Sequence, residues 1–564
     1  MPPPVTTLVD LLRRQALAQG ARTAYAQWLA EGQPGATIGF AALLLQAERV
    51  AHGLRSRSAP GDRVLVISPN GLDFVAGLFG CLIAGLVAVP VMAPRRVAGR
   101  DSTLAIAEDC GARLALLPEL GGEAAAAFEA LGIACLSVDA AVGDPAGADP
   151  WPLVRAEDVA ILQYTSGSTS LPKGVAVSHA NLLANLEMMR VALQTGASST
   201  HVCWLPLHHD MGLILNVLHT LYVGATCVLM APTAFMHRPL GWLRAIHHHR
   251  AQVASAPNFA LDLCCDRLRA ADMEGIDLGC WQVACIGAEP VRAATLDRFA
   301  ATFAPHGFTA ETLLPGYGLA EASVYVSTPG RGRGARSFPA SVSGLATGRM
   351  SPPVDAADTR RLVGCGWAVP PGELAIARPS GERAADGEVG EIWVRGPHVA
   401  RGYWQRPEAT AAVFEAVLDG QGGWVRSGDL GCFGPKEELI VVGRIKDMMI
   451  IRGINHYPQD IELTASCSHP ALVRDGAAAF GVEDAAQGER VVVIQEVARG
   501  RQVDVAQITG ALREAVVQAH GVTPHRIALV RVGTLPRTTS GKVQRGLARS
   551  RWQEGALSLW TADV

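Results

Sequence analysis

The sequence predicts an α/β protein with a large N-terminal domain of two α/β-layered subdomains, a small β-rich region and a small, mobile α+β C-terminal domain. Residues 74–93 and 213–232 each show the pattern of an apolar helix, a glycine and a β-rich run that leads into Met-Ala-Pro. Such alternation of helix and buried strand is typical of parallel sheets covered on both faces. A chain of 564 residues also exceeds one ordinary core, which predicts two or more folded units.

Composition narrows the functional class. Apolar residues make up 49% of the chain, and the net charge of −3 provides no electrostatic argument for nucleic-acid binding. The twelve cysteines form no C-x-x-C pair, and the adjacent Cys264 and Cys265 suit neither a zinc site nor a disulfide framework. We therefore expect a reduced, cytoplasmic chain. Because no basic stretch followed by an apolar run opens the sequence, no signal peptide is predicted.

Residues 74–93, "FVAGLFGCLIAGLVAVPVMA", form twenty uncharged positions, enough to span a bilayer. Gly85 and Pro90 divide this stretch, however. A buried helix that ends near Gly85, followed by a core strand, accounts better for that punctuation. A membrane-anchored protein is the alternative, and partitioning into detergent would reveal it.

The middle of the chain changes character after about Phe303. Residues 307–319 are predicted to be loop-rich, and residues 331–353 are dense in Gly, Ser, Pro and Arg. That composition is typical of a disordered linker, but the interleaved Phe338, Val342 and Leu345 favour an ordered surface insertion. Residues 389–394 and 438–442 are predicted to be short strands of the β-rich region.

A compact α+β unit is predicted after Gly443. Residues 476–482 and 489–497 have strand patterns, and residues 505–520 have a helix pattern. The short charged sequence "RIKD" at 444–447 suits a hinge better than a floppy tether. The predicted organisation is an N-terminal domain at 1–443 with an insertion at about 331–361, a hinge at 444–447 and a mobile C-terminal domain at 448–564.

The stretch "YTSGSTSLPKG" at 164–174 combines glycine, hydroxyl side chains and one lysine. A polar turn is one interpretation. A loop that surrounds phosphate oxygens with N–H and hydroxyl groups is the other. It is not a Walker A loop, because Pro172 stands where that motif needs glycine and Gly174 where it needs Ser or Thr.

Lysine is rare in this chain. Only four of the 49 basic residues are lysine, and the other 45 are arginine. Lys173 lies in the hydroxyl-rich loop, Lys446 at the predicted hinge, and Lys542 in a second such loop, "LPRTTSGK". Lys436 follows a Gly-Pro turn and is predicted to be simply exposed. Because lysine offers a compact charge on a flexible stem, we expect the first three to mark functional positions.

Seven motifs occur in order along nearly the whole chain. They are "YTSGSTSLPKG", "WLPLHHDMGL", "GAEPV", "YGLAE", "RSGDLG", "GRIKDMMIIRGINHYPQDIE" and "LPRTTSGK". Together they resemble the adenylate-forming superfamily of acyl-CoA synthetases, peptide-synthetase adenylation domains and luciferases. Within it, "HHDMGL", "APNFALDLC", "GINHYPQDIE", "VVVIQEV" and the insertion at 331–361 are similar to the fatty acyl-AMP ligases.

That resemblance implies an ATP- and Mg²⁺-dependent ligase. A fatty acid would be activated to fatty acyl-AMP with release of pyrophosphate. The acyl group would then pass to the phosphopantetheine thiol of a holo acyl carrier protein in trans, with no nucleic acid and no membrane span involved. A fatty acyl-CoA synthetase that uses free CoA is the alternative. A catalytically silent acyl-binding or carrier-docking protein is disfavoured, because Lys173, Glu321, Asp429 and Lys542 all stand in their motifs.

The resemblance also implies roles for the nucleotide-binding residues. The β- and γ-phosphates would be held by Lys173 and by Thr165, Ser166, Gly167, Ser168 and Thr169. Glu321 would bind Mg²⁺, and Tyr317 would stack on adenine, with Gly318, Leu319 and Ala320 between them. The adenine pocket would be lined by Gly287, Ala288 and Glu289 through backbone contacts. Asp429 would bind the ribose hydroxyls, and Arg444 would reach the ribose or the phosphates.

Local alternatives to these roles exist. Glu321 could be an ordinary acid at a helix N-terminus, Tyr317 a core aromatic and Asp429 a turn aspartate after Gly428.

Lys542 is the predicted catalytic residue. It would bridge the substrate carboxylate and the α-phosphate and neutralise charge as the new bond forms. An exposed lysine near the C-terminus is the alternative. Lys446 would be the pivot about which the C-terminal domain turns between adenylation and acyl transfer.

The acyl group is predicted to lie near Trp204, His209, Asp210 and Met211. His209 would gate an apolar tunnel, although a core histidine bonded to backbone is the alternative. His208, Leu215 and Asn216 depart from the family pattern and put the chain length in doubt. For the run His247–His249 a helix surface is a better interpretation than a metal site, because adjacent helix residues do not share a face.

Overall fold

The computed structural model describes residues 5–67, 71–94, 101–120, 122–139, 150–165, 172–484, 488–499, 504–538 and 541–560. Within these ranges the chain forms two large sheets with helices, a smaller β-rich region and a C-terminal α+β unit. The predicted α/β fold class is confirmed.

The first sheet has six strands in the described part of the chain. From one edge to the other they are Ala134–Ser137, Leu114–Leu117, Arg63–Ile67, Val87–Val91, Val159–Thr165 and Lys173–Ser178. Neighbouring strands are parallel except the last two, which are antiparallel and place Thr165 opposite Lys173. The predicted phosphate loop therefore starts and ends on paired strands at one end of this sheet.

The second sheet has seven strands in the described ranges. In spatial order they are Leu313–Pro315, Val283–Ile286, Val253–Ala256, Thr200–Cys203, Thr226–Met230, Thr23–Trp28 and Pro34–Gly39. Only the last pair is antiparallel. The stretch 307–319 is loop-rich, as predicted, except for a short 3₁₀ turn and the three-residue edge strand Leu313–Pro315. Its strand character comes from pairing with Val283–Ile286, a partner that its own short sequence does not reveal.

Both apolar stretches fold as predicted. Residues 74–93 contribute most of helix Leu72–Ile83 and strand Val87–Val91, with Gly85 at φ +71° between them. Residues 213–232 form the π-helical turn Leu213–Leu218, helix His219–Val223 and strand Thr226–Met230. None of the helices in the described ranges is long and apolar enough to cross a membrane.

Apolar helices pack around these sheets. The α-helices up to residue 303 are Leu8–Gln19, Phe40–Arg55, Leu72–Ile83, Ser102–Cys110, Gly122–Glu129, His179–Leu193, Asp210–Gly212, His219–Val223, Pro232–His237, Leu240–His248, Asn258–Asp266 and Ala293–Phe303. One continuous buried core includes Val64 of the first sheet and Val228 of the second. Alternate residues such as Leu65 belong to a separate core on the other face of the first sheet, as expected for a strand buried on both faces.

The β-rich region follows. Its five-stranded sheet contains Glu373–Ala377, Gly390–Arg395, Ala416–Leu418, Gln421–Phe433 and Leu439–Arg444, with helix Pro407–Phe414 beside it. Strands Ser327–Thr328 and Trp367–Ala368 form a separate pair. The predicted insertion is an ordered hairpin of Ser337–Ser341 and Thr359–Val363 with the short helix Val342–Ala346. The disordered-linker interpretation of this segment is therefore wrong.

The C-terminal unit is built on a three-stranded sheet of Leu472–Asp484, Gly488–Val497 and Arg526–Arg531. Its helices are Pro458–Cys467, Val505–His520 and Arg545–Gln553, and its hairpin pairs Met449–Ile451 with Ile454–His456. Both strands and the helix predicted from the sequence are present. The predicted hinge at 444–447 connects strand Leu439–Arg444 to this hairpin.

Candidate active site

Residues from distant parts of the chain converge on Lys542. Burial lowers the pKa of Lys542, and the nearby guanidinium of Arg444 lowers it further. The carboxylates of Asp210, Glu289 and Asp429 act on the same pKa in the opposite direction. One ammonium group thus lies within electrostatic reach of charges from four of the other motifs. We call the region of Lys542, Arg444, Asp210, Glu289 and Asp429 the cleft.

Two hydrogen bonds join Lys542 to Thr538, and residues 539 and 540 between them lie outside the described residues. Thr538 donates its N–H to the Lys542 carbonyl at 2.7 Å, and Lys542 donates its N–H to Thr538 Oγ1 at 3.0 Å. Gly541 lies so close to Phe259 that a Cβ would stand 2.6 Å from the ring. Lys542 is half-buried, so the interpretation as an exposed tail lysine is wrong.

Lys446 is exposed at the surface but lies within electrostatic range of charges of the same cleft. Burial and then the charge of Arg444 lower the pKa of Lys446, while Asp447, Asp429 and Glu321 oppose that effect. Asp447 itself pairs with Arg545 of the C-terminal unit at 3.0 Å. Lys446 therefore stands at a junction where both parts of the chain contribute charge.

Only the two ends of the predicted phosphate loop lie within the described residues. Ser166, Gly167, Ser168 and Thr169 lie outside the described residues, as does the side chain of Thr165. At the far end of the loop, Lys173 Nζ lies 4.8 Å from the centre of the Tyr403 ring, a cation–π contact. The role of this loop in holding phosphates stays a prediction.

Glu321 is paired with a residue that the sequence analysis missed. Tyr403 donates its hydroxyl to Glu321 Oε1 at 2.7 Å. Burial raises the pKa of Glu321, and the hydrogen bond from Tyr403 partly offsets that shift. Glu321 lies in the 3₁₀ turn Ala320–Ala322, so the interpretation as a helix N-terminal acid is wrong. Tyr403 thus contacts both the predicted metal carboxylate and the predicted phosphate lysine.

The donor set fits Mg²⁺ better than a metal held wholly by protein. The described residues contain no group of three or more His, Cys, Asp or Glu side chains that could hold a metal ion. A single hard carboxylate such as Glu321 is compatible with Mg²⁺, which takes its other oxygens from phosphates and water.

Tyr317, Asp429 and Arg444 form a connected group. Tyr317 donates its hydroxyl to Asp429 Oδ2, and Arg444 Nε donates to Asp429 Oδ1, both at 2.9 Å. Asp429 lies opposite Arg444 on paired strands, so it is a strand residue and the turn interpretation is wrong. Tyr317 is buried among apolar side chains, yet its hydroxyl points to the predicted ribose-binding carboxylate. Its stacking on adenine stays a prediction.

Close backbone approach explains Gly318. A Cβ at Gly318 would lie 1.6 Å from the carbonyl oxygen of Val324, so another residue there would displace the turn that carries Glu321. Leu319 precedes this turn, and Ala320 is buried within it.

The predicted adenine-lining segment follows strand Val283–Ile286 directly. Gly287 is packed against the carbonyl of Gly316, and Ala288 adopts φ +71°, which is unusual for a residue with a side chain. The carboxylate of Glu289 accepts hydrogen bonds from the backbone and side-chain amides of Asn258 at 2.9 and 3.0 Å. Glu289 is thereby held in place by Asn258, and the role of this segment in lining an adenine pocket stays a prediction.

His209 and Asp210 form an ion-pair geometry at the mouth of the predicted acyl site. His209 Nδ1 lies 2.7 Å from Asp210 Oδ1, and both residues cap the turn at Met211. Burial would raise the pKa of Asp210, but His209 and Lys542 outweigh it and hold that pKa below its ordinary value. His209 is half-exposed rather than a core histidine.

The Trp204 side chain is almost completely buried in the core, and its place in an acyl tunnel stays a prediction. Its side chain is 1% exposed and is stacked on Phe235 with ring centres 3.8 Å apart. Met211 and Leu215 are also buried. Leu215 and Asn216 lie in the π-helical turn, where Asn216 Nδ2 donates to the Met211 carbonyl at 2.8 Å. Such turns are frequent at functional sites.

The histidine run lies on a helix, as predicted, but at the end of helix Leu240–His248, where it is only partly solvated. His248 and His249 lie 5.2 and 5.4 Å from the Trp28 ring, and Asp277 donates its N–H to His247. Lys436 is exposed, also as predicted.

Comparison with known proteins identifies the family. The family model described as "AMP-binding enzyme" matches residues 12–404. The chain belongs to the AMP-binding enzyme family. A second model, described as the AMP domain of Disco-interacting protein 2-like proteins, matches residues 446–561 of this AMP-binding enzyme. The first match ends at residue 404, and the second begins at residue 446, within the predicted hinge at 444–447.

Relatives of this AMP-binding enzyme cover its full length. It is 38% identical to a medium-chain-fatty-acid–[acyl-carrier-protein] ligase of Moorena producens, over 100% of this chain and 98% of the relative. It is 34% identical to a 4-hydroxyphenylalkanoate adenylyltransferase of Mycobacterium tuberculosis, over 97% and 92%.

Solved structures of fatty acyl-adenylate ligases share the fold. One, from a study of the E. coli and L. pneumophila enzymes, has a TM-score of 0.88 and 32% identity over 97% of this chain and 98% of its own. Another, the L. pneumophila enzyme in complex with acyl adenylate and pyrophosphate, has a TM-score of 0.76 and 32% identity over 99% and 98%. The resemblance to fatty acyl-AMP ligases is confirmed.

Three residues at or near the cleft escaped prediction: Tyr403, Asn258 and Arg292. Each has a partner in a distant segment. Tyr403 lies outside the quoted motifs, Asn258 lies within "APNFALDLC", and Arg292 directly follows "GAEPV". Tyrosine is rare, with seven in the chain, so Tyr403 offered a weak signal like that of the four lysines. Asn258 begins a helix within "APNFALDLC", but its partner Glu289 is 31 residues away.

Proposed function

We propose that this AMP-binding enzyme uses ATP to convert a fatty acid to fatty acyl-AMP and pyrophosphate, and then transfers the acyl group to the phosphopantetheine thiol of an acyl carrier protein. The single observation that carries the proposal is the position of Lys542. It comes from the C-terminal unit, yet the charges of Arg444, Asp210, Glu289 and Asp429 act on its pKa, and the preceding Gly541 packs against Phe259 of the N-terminal part. This arrangement supports an adenylation-competent site.

The charges of the cleft suit the first reaction. A carboxylate must approach an anionic α-phosphate, so positioned cations lower the barrier more than any proton transfer. Lys542 is proposed to contact both anions, with Arg444 beside it and Lys173 at the leaving phosphates. Asp429 is proposed to accept hydrogen bonds from the ribose hydroxyls, since a carboxylate can accept two at once.

Mg²⁺ is proposed to be held by Glu321. When bound, the ion would neutralise phosphate charge and orient the leaving group. Tyr403 keeps the Glu321 carboxylate oriented, and the buried setting of Glu321 limits competition from water.

The cytoplasmic location of the enzyme stays a prediction.

An acyl carrier protein is the proposed acceptor. Two relatives, from Moorena producens and Teredinibacter turnerae, are named medium-chain-fatty-acid–[acyl-carrier-protein] ligases. Their names support a medium-chain acid as the first substrate class to test. Other relatives are named long-chain-fatty-acid–AMP ligases, so a panel of acids must extend to long chains.

Product analysis by mass spectrometry tests the proposal. Purified protein, Mg·ATP and fatty acids of graded length are divided among no acceptor, free CoA and a holo carrier protein. We expect acyl-AMP in the first, no acyl-CoA in the second and acylated carrier in the third. Efficient acyl-CoA formation would instead identify an acyl-CoA synthetase. Absence of acyl-AMP with every acid would overturn the proposed activation step.

A further inference from the structure

An ion-pair cluster outside the cleft connects the N-terminal part to the C-terminal unit. The Arg292 guanidinium binds the Asp475 carboxylate through two contacts, one from Nη1 to Oδ1 and one from Nη2 to Oδ2 at 3.1 Å. The same guanidinium donates to Asp262 Oδ2 at 3.0 Å. Arg292 and Asp475 side chains are only 26% and 32% exposed. A fork-to-carboxylate pair of this kind is strong and directional.

Asp475 has an unusual backbone. Its φ is +54°, and it lies where the pairing of strand Leu472–Asp484 with Gly488–Val497 is interrupted, between Leu472 and Ala477. A non-glycine residue in this conformation costs free energy that surrounding contacts must offset. The conformation turns the Asp475 carboxylate toward Arg292 and leaves its carbonyl oxygen to accept from Arg537 Nη2 at 2.5 Å.

Arg537 continues the connection to the catalytic loop. Its Nη1 donates to the carbonyl oxygen of Gly541 at 3.0 Å, and Gly541 precedes Lys542. The path Arg292, Asp475, Arg537 and Gly541 therefore links the N-terminal part to the backbone that carries Lys542. In each step the hydrogen-bond donor is an arginine guanidinium group.

The other end of the path is anchored beside the predicted adenine-lining segment. Arg292 donates its N–H to Asn258 Oδ1 at 3.0 Å, and Asn258 also holds the Glu289 carboxylate. Asp262 is in turn held by Thr295 at 2.8 Å. The Arg292 guanidinium is thus fixed on the N-terminal side before the C-terminal unit contacts it.

We propose that Arg292 and Asp475 are positioning residues that latch the C-terminal unit where Lys542 enters the cleft. The proposal rests on the proposed function, because a latch has meaning only if Lys542 serves adenylation. The latch must open when the C-terminal unit moves away for acyl transfer. The latch proposal therefore predicts that loss of the Arg292–Asp475 pair affects acyl-AMP formation and acyl transfer differently.

Asp475→Asn is the variant that isolates the charge. Asparagine tolerates positive φ better than other non-glycine residues, so the backbone of the turn is preserved. We expect acyl-AMP formation, measured in a single turnover, to fall about tenfold to a hundredfold, since small displacements of a catalytic group cost on this order. Transfer from supplied acyl-AMP to a holo carrier protein should stay within about twofold of wild type.

Arg292→Gln should show the same split, and the double variant should be no slower than the slower single variant, because both changes remove one interaction. Arg244→Gln is the matched control. Arg244 pairs with Asp272 within the N-terminal part at 3.0 Å and, in the described part of the chain, shares no partner with Arg292 or Asp475. Its loss removes an equal charge, and we expect both half-reactions to remain within about twofold of wild type.

The outcomes separate the latch from the proposed function. If wild-type protein forms no acyl-AMP, the proposed function fails and the latch fails with it. If wild type forms acyl-AMP and Asp475→Asn does so at the same rate, the latch alone is overturned. Equal losses in both half-reactions would also overturn it, because they indicate general damage to the fold rather than misplacement of Lys542.

Discussion

At the level of single residues, tyrosine hydroxyls hold the carboxylates of the candidate site. Tyr317 donates to Asp429, and Tyr403 donates to Glu321. Tyr164, at the start of the phosphate-loop motif, donates to Asp109 at 2.6 Å. A hydroxyl donor favours the charged form of a carboxylate and fixes its direction without adding a charge. Carboxylates that are to meet a nucleotide or a cation are thereby oriented in advance.

Tyr403→Phe tests this role at Glu321. Loss of one hydrogen bond to a buried carboxylate is worth about 1.5–3 kcal/mol, and without it the raised pKa of Glu321 should rise further. We therefore expect the Kd for Mn²⁺, used as a spectroscopic substitute for Mg²⁺ with ATP present, to increase about tenfold or more. The measurement is a paramagnetic resonance titration, together with the Mg²⁺ dependence of acyl-AMP formation.

Tyr222→Phe is the control for that prediction. Tyr222 donates its hydroxyl to Glu187 at 3.0 Å, outside the cleft. It should leave Mn²⁺ affinity unchanged. Equal Mn²⁺ affinities for Tyr403→Phe and wild type would show that Tyr403 has no part in holding the metal carboxylate.

Lys542→Ala tests the catalytic assignment. Removal of a charge that acts on the developing bond costs on the order of a hundredfold to a thousandfold in rate. We expect acyl-AMP formation to fall by at least that factor, while transfer from supplied acyl-AMP is largely retained. Rapid-quench assays of each half-reaction measure the split. Lys436→Ala, at an exposed lysine, should change neither, and near-normal acyl-AMP formation by Lys542→Ala would remove the assignment.

At the level of elements, the insertion hairpin joins the two parts of the molecule. Arg336, just before its first strand, binds the buried Glu438 of the β-rich region at 2.5 Å. Arg360, on its second strand, pairs with Asp460 of the C-terminal unit at 2.7 Å and lies over the Tyr457 ring. The sequence predicts an ordered insertion but not these partners, because an arginine in a loop-like segment does not indicate which distant acid it will meet.

The predicted hinge is a short connection between two ordered elements. The hinge begins at Arg444, where strand Leu439–Arg444 ends, and the hairpin that starts at Met449 follows the hinge. Ile445 and Asp447 donate backbone N–H groups to Gly428 and Arg444. Lys446 lies between them, so a rotation of the C-terminal unit would concentrate in its dihedral angles.

Lys446→Pro tests the hinge. Proline restricts φ to about −65°, so the C-terminal unit should be held near its adenylation position. We expect acyl-AMP formation to be retained and transfer to the carrier to fall on the order of tenfold or more, because hinge motion is concentrated in few dihedrals. Single-turnover transfer of radiolabelled acyl groups measures the effect. Lys446→Ala separates the loss of the side chain from the restriction of the backbone. Unimpaired transfer by Lys446→Pro would exclude a pivot at this position.

At the level of the whole molecule, buried histidines make stability depend on pH. Burial lowers the pKa of His179 to about 4, of His398 to about 4 and of His219 to about 3, and that of His201 well below its ordinary value. Their unfolded pKa is about 6.5. Below that pH the unfolded chain binds protons that the folded protein cannot accept. The contribution of these histidines to the free energy of unfolding is therefore fully present above pH 6.5 and is lost as the pH falls.

The expected loss between pH 6.5 and 5.5 is about 1 kcal/mol for each histidine, about 4 kcal/mol in total. Carboxylates with raised pKa values oppose this trend as the pH falls through those values; they are Asp73, Asp262, Glu321, Glu438 and Asp460. Thermal unfolding at closely spaced pH values should show a midpoint lower by several degrees at pH 5.5 than at 6.5.

His179→Asn provides the matched variant. His179 Nδ1 accepts the N–H of Leu8 at 3.2 Å, and an asparagine oxygen can accept in its place. The variant should lose about 1 kcal/mol of the change in free energy of unfolding between pH 6.5 and 5.5. An unchanged dependence would show that His179 is protonated in the folded protein.

The sequence by itself determined the class of fold, the helix–glycine–strand segments and the family. These follow from local information: apolar periodicity, glycine punctuation and motifs whose residues are close in sequence. Helix Val505–His520 was predicted to the residue because Asp504 caps its start and Gly521 ends it in the left-handed region. The lysine bias likewise indicated Lys542 and Lys446 without any knowledge of their surroundings.

Only the tertiary structure decided which distant side chains meet. The edge strand Leu313–Pro315, the Tyr403–Glu321 hydrogen bond and the Arg292–Asp475 pair all depend on partners from remote segments. Trp204 illustrates the same limit, because its motif does not reveal that its ring is stacked on Phe235, 31 residues away in the sequence. The physical reason is that local sequence sets backbone preference and burial, whereas pairing between remote charges and rings is set by where the folded chain brings them.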